Sequence, residues 1–289
     1  MDEMFKALAV PLEEDLLPLS VLLRERGVPH RIVEQDGQQV LQVARLEHAR
    51  VVAALYKSWR DGEFTIELSR EAAELSSGRS WRAAPVTLAL VALSIVGFAL
   101  VYLLGSVQAL ALLSFIPFEI VEEQVVFGEM NGQYWRLLTP AFIHFGWLHI
   151  VFNCLWLWEL GRRIELVMGH FNALMLCIVI AVVANVCQYI YGGPGLFGGM
   201  SGVVYGLLGF GWTAPWFQPA WPIRPRNAIM LLMVGWLLLC LVGFIEALGF
   251  GAIANAAHVG GLLVGCALGV VFGLKSRLVG DGAQRESDS

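Results

Sequence analysis

Charge is scarce in this chain. Only 15% of its 289 residues are Asp, Glu, Lys or Arg, 57% are hydrophobic, and the mean hydropathy is +0.66. That is too apolar for a soluble protein of this size. A cationic excess is also missing. Nineteen Lys and Arg stand against 24 Asp and Glu, a net charge of −5, so nucleic acid is not expected as a partner. Cysteine is sparse as well. Cys154, Cys177, Cys187, Cys240 and Cys266 lie in apolar runs without paired spacing. They read as buried thiols, which excludes a disulfide framework and a thiolate metal site. No metal and no other cofactor is expected. The first residues are acidic and lack an apolar core followed by a small-residue cleavage site, so no signal peptide is read. No internal repeat is apparent, which weighs against a transporter.

What charge there is falls unevenly. Residues 1–82 alternate acidic, basic and apolar side chains like a soluble domain. "FKALAV" reads as a strand and "EEDLLPLSVLLRERG" as a helix. "HRIVEQDGQQVLQV" resembles a hairpin turning at Asp36–Gly37, and "EHARVVAALYKSWRDG" reads as a second amphipathic helix. The expected fold class is an all-α polytopic membrane protein of six transmembrane helices, preceded by a small α+β cytoplasmic domain. Its parts are a soluble domain over 1–65, a polar linker over 66–82, a membrane domain over 83–275 and a cytoplasmic tail over 276–289. The spans predicted from apolar runs are 83–104, 148–167, 171–191, 201–214, 227–248 and 253–274. The loop of about 40 residues between the first two carries apolar patches of its own, such as "ALALLSFIPF", and is expected partly in the interface.

Lys and Arg set the orientation. Arg79 and Arg82 precede the first span, Arg162 and Arg163 end the second, Arg224 and Arg226 separate the fourth and fifth, and Lys275 and Arg277 follow the sixth. The three other loops hold only Arg136. This alternation places both termini in the cytoplasm by the positive-inside rule. The chain is thus expected to be multi-pass in a cell membrane, the inner one in a bacterium.

The fourth span is short. It follows the Gly-rich "YGGPGLFGG" and meets Pro215, where it is expected to stop. About 14 residues cover roughly 21 Å of a hydrocarbon layer about 30 Å thick. Its outer end, at Ser201, is therefore expected about 10 Å below the outer surface. By the same arithmetic His258 lies about 8 Å deep in the sixth span, and His149 and Asn153 lie roughly 2–8 Å deep in the second. Irregular backbone at such depth is tolerated only inside protein or beside a wet cavity.

That shared depth carries the chemistry. Ser201 is a candidate nucleophile and His258 a candidate base, since a poorly hydrated imidazole stays neutral and can take a proton. No acidic residue is predicted near this depth in the fourth to sixth spans; Glu246 is near the outer end of the fifth. A dyad is expected, not a triad. Tyr205, four residues after Ser201, is expected to stack on the histidine. The Ser201 N–H, Asn153 and His149 are candidate donors to an oxyanion. Gly198, Gly202 and Gly206 on one helix, with Gly261, Gly265, Gly269 and Gly273 on the other, form small-xxx-small rows for close packing. Taken singly, each residue has a bland reading: packing for the serine and glycines, interhelical bonding for Asn153, core for Tyr205, an interfacial anchor for Arg136. His144 and His149 suggest a metal pair, but five-residue spacing does not share a helical face.

"GMSGVVYG", "HIVFN", "AAHVGG" and the longer "YWRLLTPAFIHFGWLHIVFN" resemble the rhomboid intramembrane serine proteases, and most closely the bacterial branch with six spans and a soluble N-terminal domain. The resemblance covers residues 83–275, with no departure at the core motifs. It implies Ser201 as nucleophile, His258 as general base, and Asn153, His149 and the Ser201 backbone as oxyanion stabilisers. It further implies supporting roles for Tyr205, Gly199, Gly202 and Gly261, and a lateral gate and cap in which Phe250 and Ile253 are plugs. The implied partners are transmembrane protein substrates and membrane lipid. The alternative is a non-catalytic membrane protein that binds transmembrane helices on the same scaffold.

Overall fold

A computed structural model describes residues 4–66, 80–249 and 251–287, in two compact units, Met1–Gly78 and Arg79–Ser289. In the first unit the order is β1 (Phe5–Pro11), α1 (Leu17–Glu25), β2 (His30–Gln35), β3 (Gln38–Val43) and α2 (Leu46–Arg60). The strands form an antiparallel sheet ordered β1-β3-β2, with Phe5 and His30 both opposite Val43. Asp36 and Gly37 turn the β2–β3 hairpin at φ 53° and 73°, the double positive φ of a type I′ turn. Leu19, Leu23, Leu41 and Val43 fill the core between sheet and helices. Of the expected linker over 66–82, residues 67–79 lie outside the described residues, and Ser80–Ala83 forms one helical turn.

The second unit is helical. It runs α3 (Pro85–Phe98), continued as a π-helix over Ala99–Leu103, then α4 (Val107–Leu113), β4 (Phe118–Val121) and β5 (Gln124–Phe127). After two 3-10 turns, Tyr134–Leu137 and Thr139–Phe142, come α5 (Trp147–Trp156), a π-helical turn Leu157–Gly161 and α6 (Arg162–Met168). Then follow α7 (His170–Gly192), α8 (Ser201–Phe217), α9 (Asn227–Leu241), α10 (Phe244–Ala247) and α11 (Asn255–Ser287). Among the described residues three helices are long and apolar enough to cross a membrane: Pro85–Leu103, His170–Gly192 and Asn255–Leu278. Asn227–Leu241 is apolar but shorter.

α8 is the buried axis. Twelve of its residues, from Gly202 to Ala214, are buried. Its neighbours α7 and α11 enclose it, and Leu231, Leu232 and Val242 of the α9 region point outward. α11 approaches the α8 backbone directly: a Cβ on Gly261 would overlap the Gly202 carbonyl oxygen, and one on Gly265 the Gly206 carbonyl oxygen. The α8 row is oriented differently from the expectation. A Cβ on Gly202 would meet Ala184 at 2.7 Å, and one on Gly206 would overlap Ile180, so these glycines make room mainly for α7. Gly198 precedes the helix and abuts Ile143 and Pro140.

Two expectations need correction. α8 does not stop at Pro215 but runs to Phe217. The proline lies in the last turn, where it removes only the bond to the Gly211 carbonyl, and Gln218 N–H still reaches Ala214 O at 3.0 Å. The fifth span is not one helix over 227–248: α9 ends at Leu241 and Gly243, at φ 73°, separates it from α10. The sixth helix extends beyond the predicted span 253–274, running from Asn255 to Ser287. The long first loop is folded, with α4 and a β4–β5 hairpin of its own. Arg136 belongs to that loop's core. It is 4% exposed, and its Nη1 donates to the carbonyls of Ala111, Leu112 and Ser114 at 2.6, 3.1 and 2.8 Å while Nε donates to Gln133 Oε1 at 2.8 Å.

Candidate active site

The N-terminus of α8 is fixed by the folded loop before α5. Gly199 adopts φ 120°, a region that favours glycine. Its N–H donates to Pro140 O at 3.0 Å, and the Met200 N–H donates to His144 Nε2 at 3.4 Å. His144 is fully buried, and its Nδ1 lies 3.2 Å from Phe142 O. A proton on Nδ1 satisfies that carbonyl and leaves Nε2 as the acceptor that Met200 needs. The first intrahelical bond runs from Val204 N to Met200 O. The Ser201 N–H is one of the first-turn donors that a helix leaves without an internal partner.

His258 sits in the first turn of α11, one turn before Gly261. Its Nε2 lies 2.8 Å from Ser201 Oγ. With Nε2 unprotonated, the hydroxyl donates to it. The ring is 6% exposed, and Nδ1 has no hydrogen-bond partner among the described residues. No carboxylate therefore orients it within that set. Tyr205 packs against it instead, with ring centroids 5.0 Å apart and planes 43° apart. The expected stacking is thus a tilted contact, and the Tyr205 hydroxyl donates to Met233 O on α9 at 3.0 Å.

α5 supplies the other side. Asn153 is 5% exposed, and its Nδ2 donates to His149 O at 2.8 Å. An amide nitrogen has two hydrogens, so one remains for another acceptor. A Cβ on Gly199 would stand 2.5 Å from His149 Nε2 and 3.6 Å from Ser201 Oγ, so the imidazole and the hydroxyl flank the same glycine. The His149 and His144 rings lie 5.0 Å apart.

Ser201, His258, Tyr205, Gly199, Gly202, Gly261, His149 and Asn153 thus come together around the starts of α5, α8 and α11. Ile253 lies just before α11, its N–H donating to Glu246 Oε1 at 2.8 Å. Phe250 lies outside the described residues. Among the described residues no group of three or more His, Cys, Asp or Glu is placed to hold a metal. The positioning roles of His144 and Arg136 are not legible in the sequence. In "HFGWLH" the sequence marks His149 as an oxyanion donor but offers His144 nothing beyond a metal pair of poor spacing, and the carbonyls that Arg136 gathers are invisible before the loop is folded.

Two family profiles match the chain: one described as rhomboid domain over residues 131–275, the other as rhomboid N-terminal domain over residues 2–70. The chain is 31% identical over 244 residues to the rhomboid protease GlpG of Klebsiella pneumoniae, covering 84% of this chain and 83% of that protein. It is 34% identical over 208 residues to the rhomboid protease GlpG of Yersinia pseudotuberculosis, covering 72% and 70% respectively. The corresponding protein of Serratia proteamaculans is 34% identical over 211 residues, again covering 72% and 70%.

Proposed function

Because the chain belongs to the rhomboid family and is an intramembrane serine protease, we propose that it cleaves transmembrane or membrane-anchored proteins with a Ser201–His258 dyad. The observation that carries this reading is the 2.8 Å separation of Ser201 Oγ and His258 Nε2 at a helix N-terminus. The hydroxyl oxygen attacks the scissile carbonyl carbon while its proton passes to His258 Nε2. Charge develops on the carbonyl oxygen. The Ser201 N–H, the second Asn153 Nδ2 hydrogen and the His149 ring are the donors proposed to meet it. The histidine then returns its proton to the leaving amine. Water, activated by the same nitrogen, releases the acyl group from Ser201.

We further propose six spans, with α5 to α6, α8 and α9 crossing beside the three longer helices. α5 to α6 is helical throughout from Trp147 to Met168, interrupted only by a π-turn. α8 is about 26 Å long, so in this reading a helix that starts at the inner surface would bring Ser201 to roughly 5 Å below the outer one, half the depth expected from a helix ending at 214. The distribution of Lys and Arg supports cytoplasmic termini, an inner-membrane location and cleavage near the outer face. A substrate helix must unwind there to offer its carbonyl. Phe250, Ile253 and the α9–α10 region are proposed as cap and gate.

The test is cleavage of a single-span substrate by purified protein in detergent, beside Ser201→Ala and His258→Ala. Each variant should lose at least about 10³-fold in kcat, because members of such a unit fail together. Cleavage that survives Ser201→Ala refutes the mechanism.

A further inference from the structure

A cluster of charged side chains far from Ser201 has no part in the proteolytic chemistry. Arg162 and Arg163 follow the π-turn Leu157–Gly161 and both pair with Glu159 inside it. Arg162 Nη2 lies 3.5 Å from one carboxylate oxygen, and Arg163 Nη2 contacts the other. Their side chains are 17% and 18% exposed, so each presents only an edge to the surroundings. Arg226, the residue that opens α9, is exposed and near enough to Arg163 to act on it electrostatically. The other carboxylate on this stretch, Glu165, is already engaged. It accepts from Val86 N–H, Thr87 N–H and the Thr87 hydroxyl at 2.9, 2.8 and 2.7 Å, and faces His170 Nδ1 at 2.8 Å.

Two guanidiniums therefore share one carboxylate, and the positive charge of Arg226 adds to the same neighbourhood. The Nε atoms of Arg162 and Arg163 are buried without a hydrogen-bond partner among the described residues, a costly state for a charged donor. Glu159 alone does not satisfy the two forks. The planar guanidinium fork fits a phosphate with two parallel bonds. Arg163 lies about 21 Å along the helix from His149, which puts the cluster at the opposite boundary of the apolar belt from Ser201. At that level of an integral membrane protein, the abundant anion is lipid phosphate.

We propose that Arg162, Arg163 and Arg226 form a binding site for the phosphate of an anionic phospholipid, in the leaflet opposite the serine. The headgroup enters at the exposed guanidinium edges. A small rotation of each fork then turns its unpaired Nε toward a phosphate oxygen, while Glu159 keeps one contact.

The test uses the full-length protein in neutral detergent, with phosphatidylglycerol, phosphatidylcholine or inorganic phosphate added, and counts bound lipid by native mass spectrometry. The protein should hold one phosphatidylglycerol about tenfold more tightly than phosphatidylcholine. Arg226→Gln should weaken it roughly fivefold, and Arg163→Gln with Arg226→Gln roughly 25-fold. Arg226 is not among the ion-pair partners of Glu159, so its single variant keeps the test alive if the double variant does not fold. Arg50→Gln, which removes the same charge from the first unit, should leave the affinity unchanged. Equal affinity in the unmodified protein and Arg226→Gln overturns the proposal, as does an equal loss in Arg50→Gln. Displacement of the lipid by millimolar inorganic phosphate at constant ionic strength overturns the assignment to lipid.

Discussion

Gly261→Ala tests whether one helix seam sets both stability and catalysis. The added Cβ would overlap the Gly202 carbonyl oxygen, with the Gly202 carbonyl carbon at 2.9 Å and its Cα at 3.2 Å. These are backbone atoms, so no side chain can swing away. α8 and α11 must separate by about 1 Å to restore ordinary contact. Overpacking of this kind costs about 1–3 kcal/mol. Ser201 immediately precedes Gly202, and His258 lies one helical turn before Gly261, so the same separation stretches the 2.8 Å Ser201–His258 contact beyond hydrogen-bond reach. A misplacement of about 1 Å can cost 10²-fold in rate. Gly273→Ala is the matched control, because its Cβ would press on Ala214 O at 2.7 Å and Phe217 Cβ at 3.0 Å, about 18 Å farther along the seam. Melting temperature and kcat/KM on a single-span substrate should be measured for both. Both variants should be destabilised by similar amounts, but only Gly261→Ala should lose about 10²-fold in kcat/KM. Activity of Gly261→Ala within threefold of the unmodified protein, or an equal activity loss in Gly273→Ala, refutes the reasoning.

Asn153→Ala removes a proposed oxyanion donor together with its tether to His149 O. kcat should fall about 10²–10³-fold with little change in KM, and steady-state kinetics would separate the two. Arg136→Ala leaves three carbonyls of the folded loop without their shared donor and should lower stability by roughly 3 kcal/mol, read as a lower melting temperature; Arg136→Lys should recover part of it. Pro215→Ala restores an N–H to the last turn of α8, opposite the Gly211 carbonyl. It should raise stability by about 0.5–1 kcal/mol with unchanged kcat, so a fall in melting temperature would contradict the account of that helix end.

Much of this arrangement is legible in the sequence because its signals are periodic or geometric. Apolar runs announce α3, α7 and α11, and the Asp36–Gly37 pair announces the hairpin of the first unit. Helix rise alone puts Ser201 and His258 in neighbouring layers, and the two side chains do meet. What escaped has physical causes. The β4–β5 hairpin turns on Glu122 and Glu123, both non-glycine residues at φ 50° and 65°, so it lacks the Asn-Gly or Asp-Gly signature of such turns. The break between α9 and α10 needs one residue, Gly243, at positive φ, and an isolated glycine in an apolar run looks like a packing residue. His144 and Arg136 act on backbone groups remote in sequence: the Arg136 partners gather only once the loop before α5 has folded, and the Met200 N–H reaches His144 only where that loop meets the α8 N-terminus.

In the proposed mechanism, packing takes over the task that a carboxylate performs in a triad. The Ser201–His258 distance is set where Gly261 meets the Gly202 backbone. The tilt of the imidazole is set by Tyr205, and Tyr205 is anchored through its hydroxyl to Met233 O on α9. These are separate constraints, one from the α8–α11 seam and one from α9. A displacement of α9 therefore releases the Tyr205 anchor without touching the seam, and the ring orientation responds before the Ser201–His258 distance does. The base depends on three helices, yet its distance to the nucleophile depends on only two of them. Movement along α9 and preservation of the dyad are compatible for that reason.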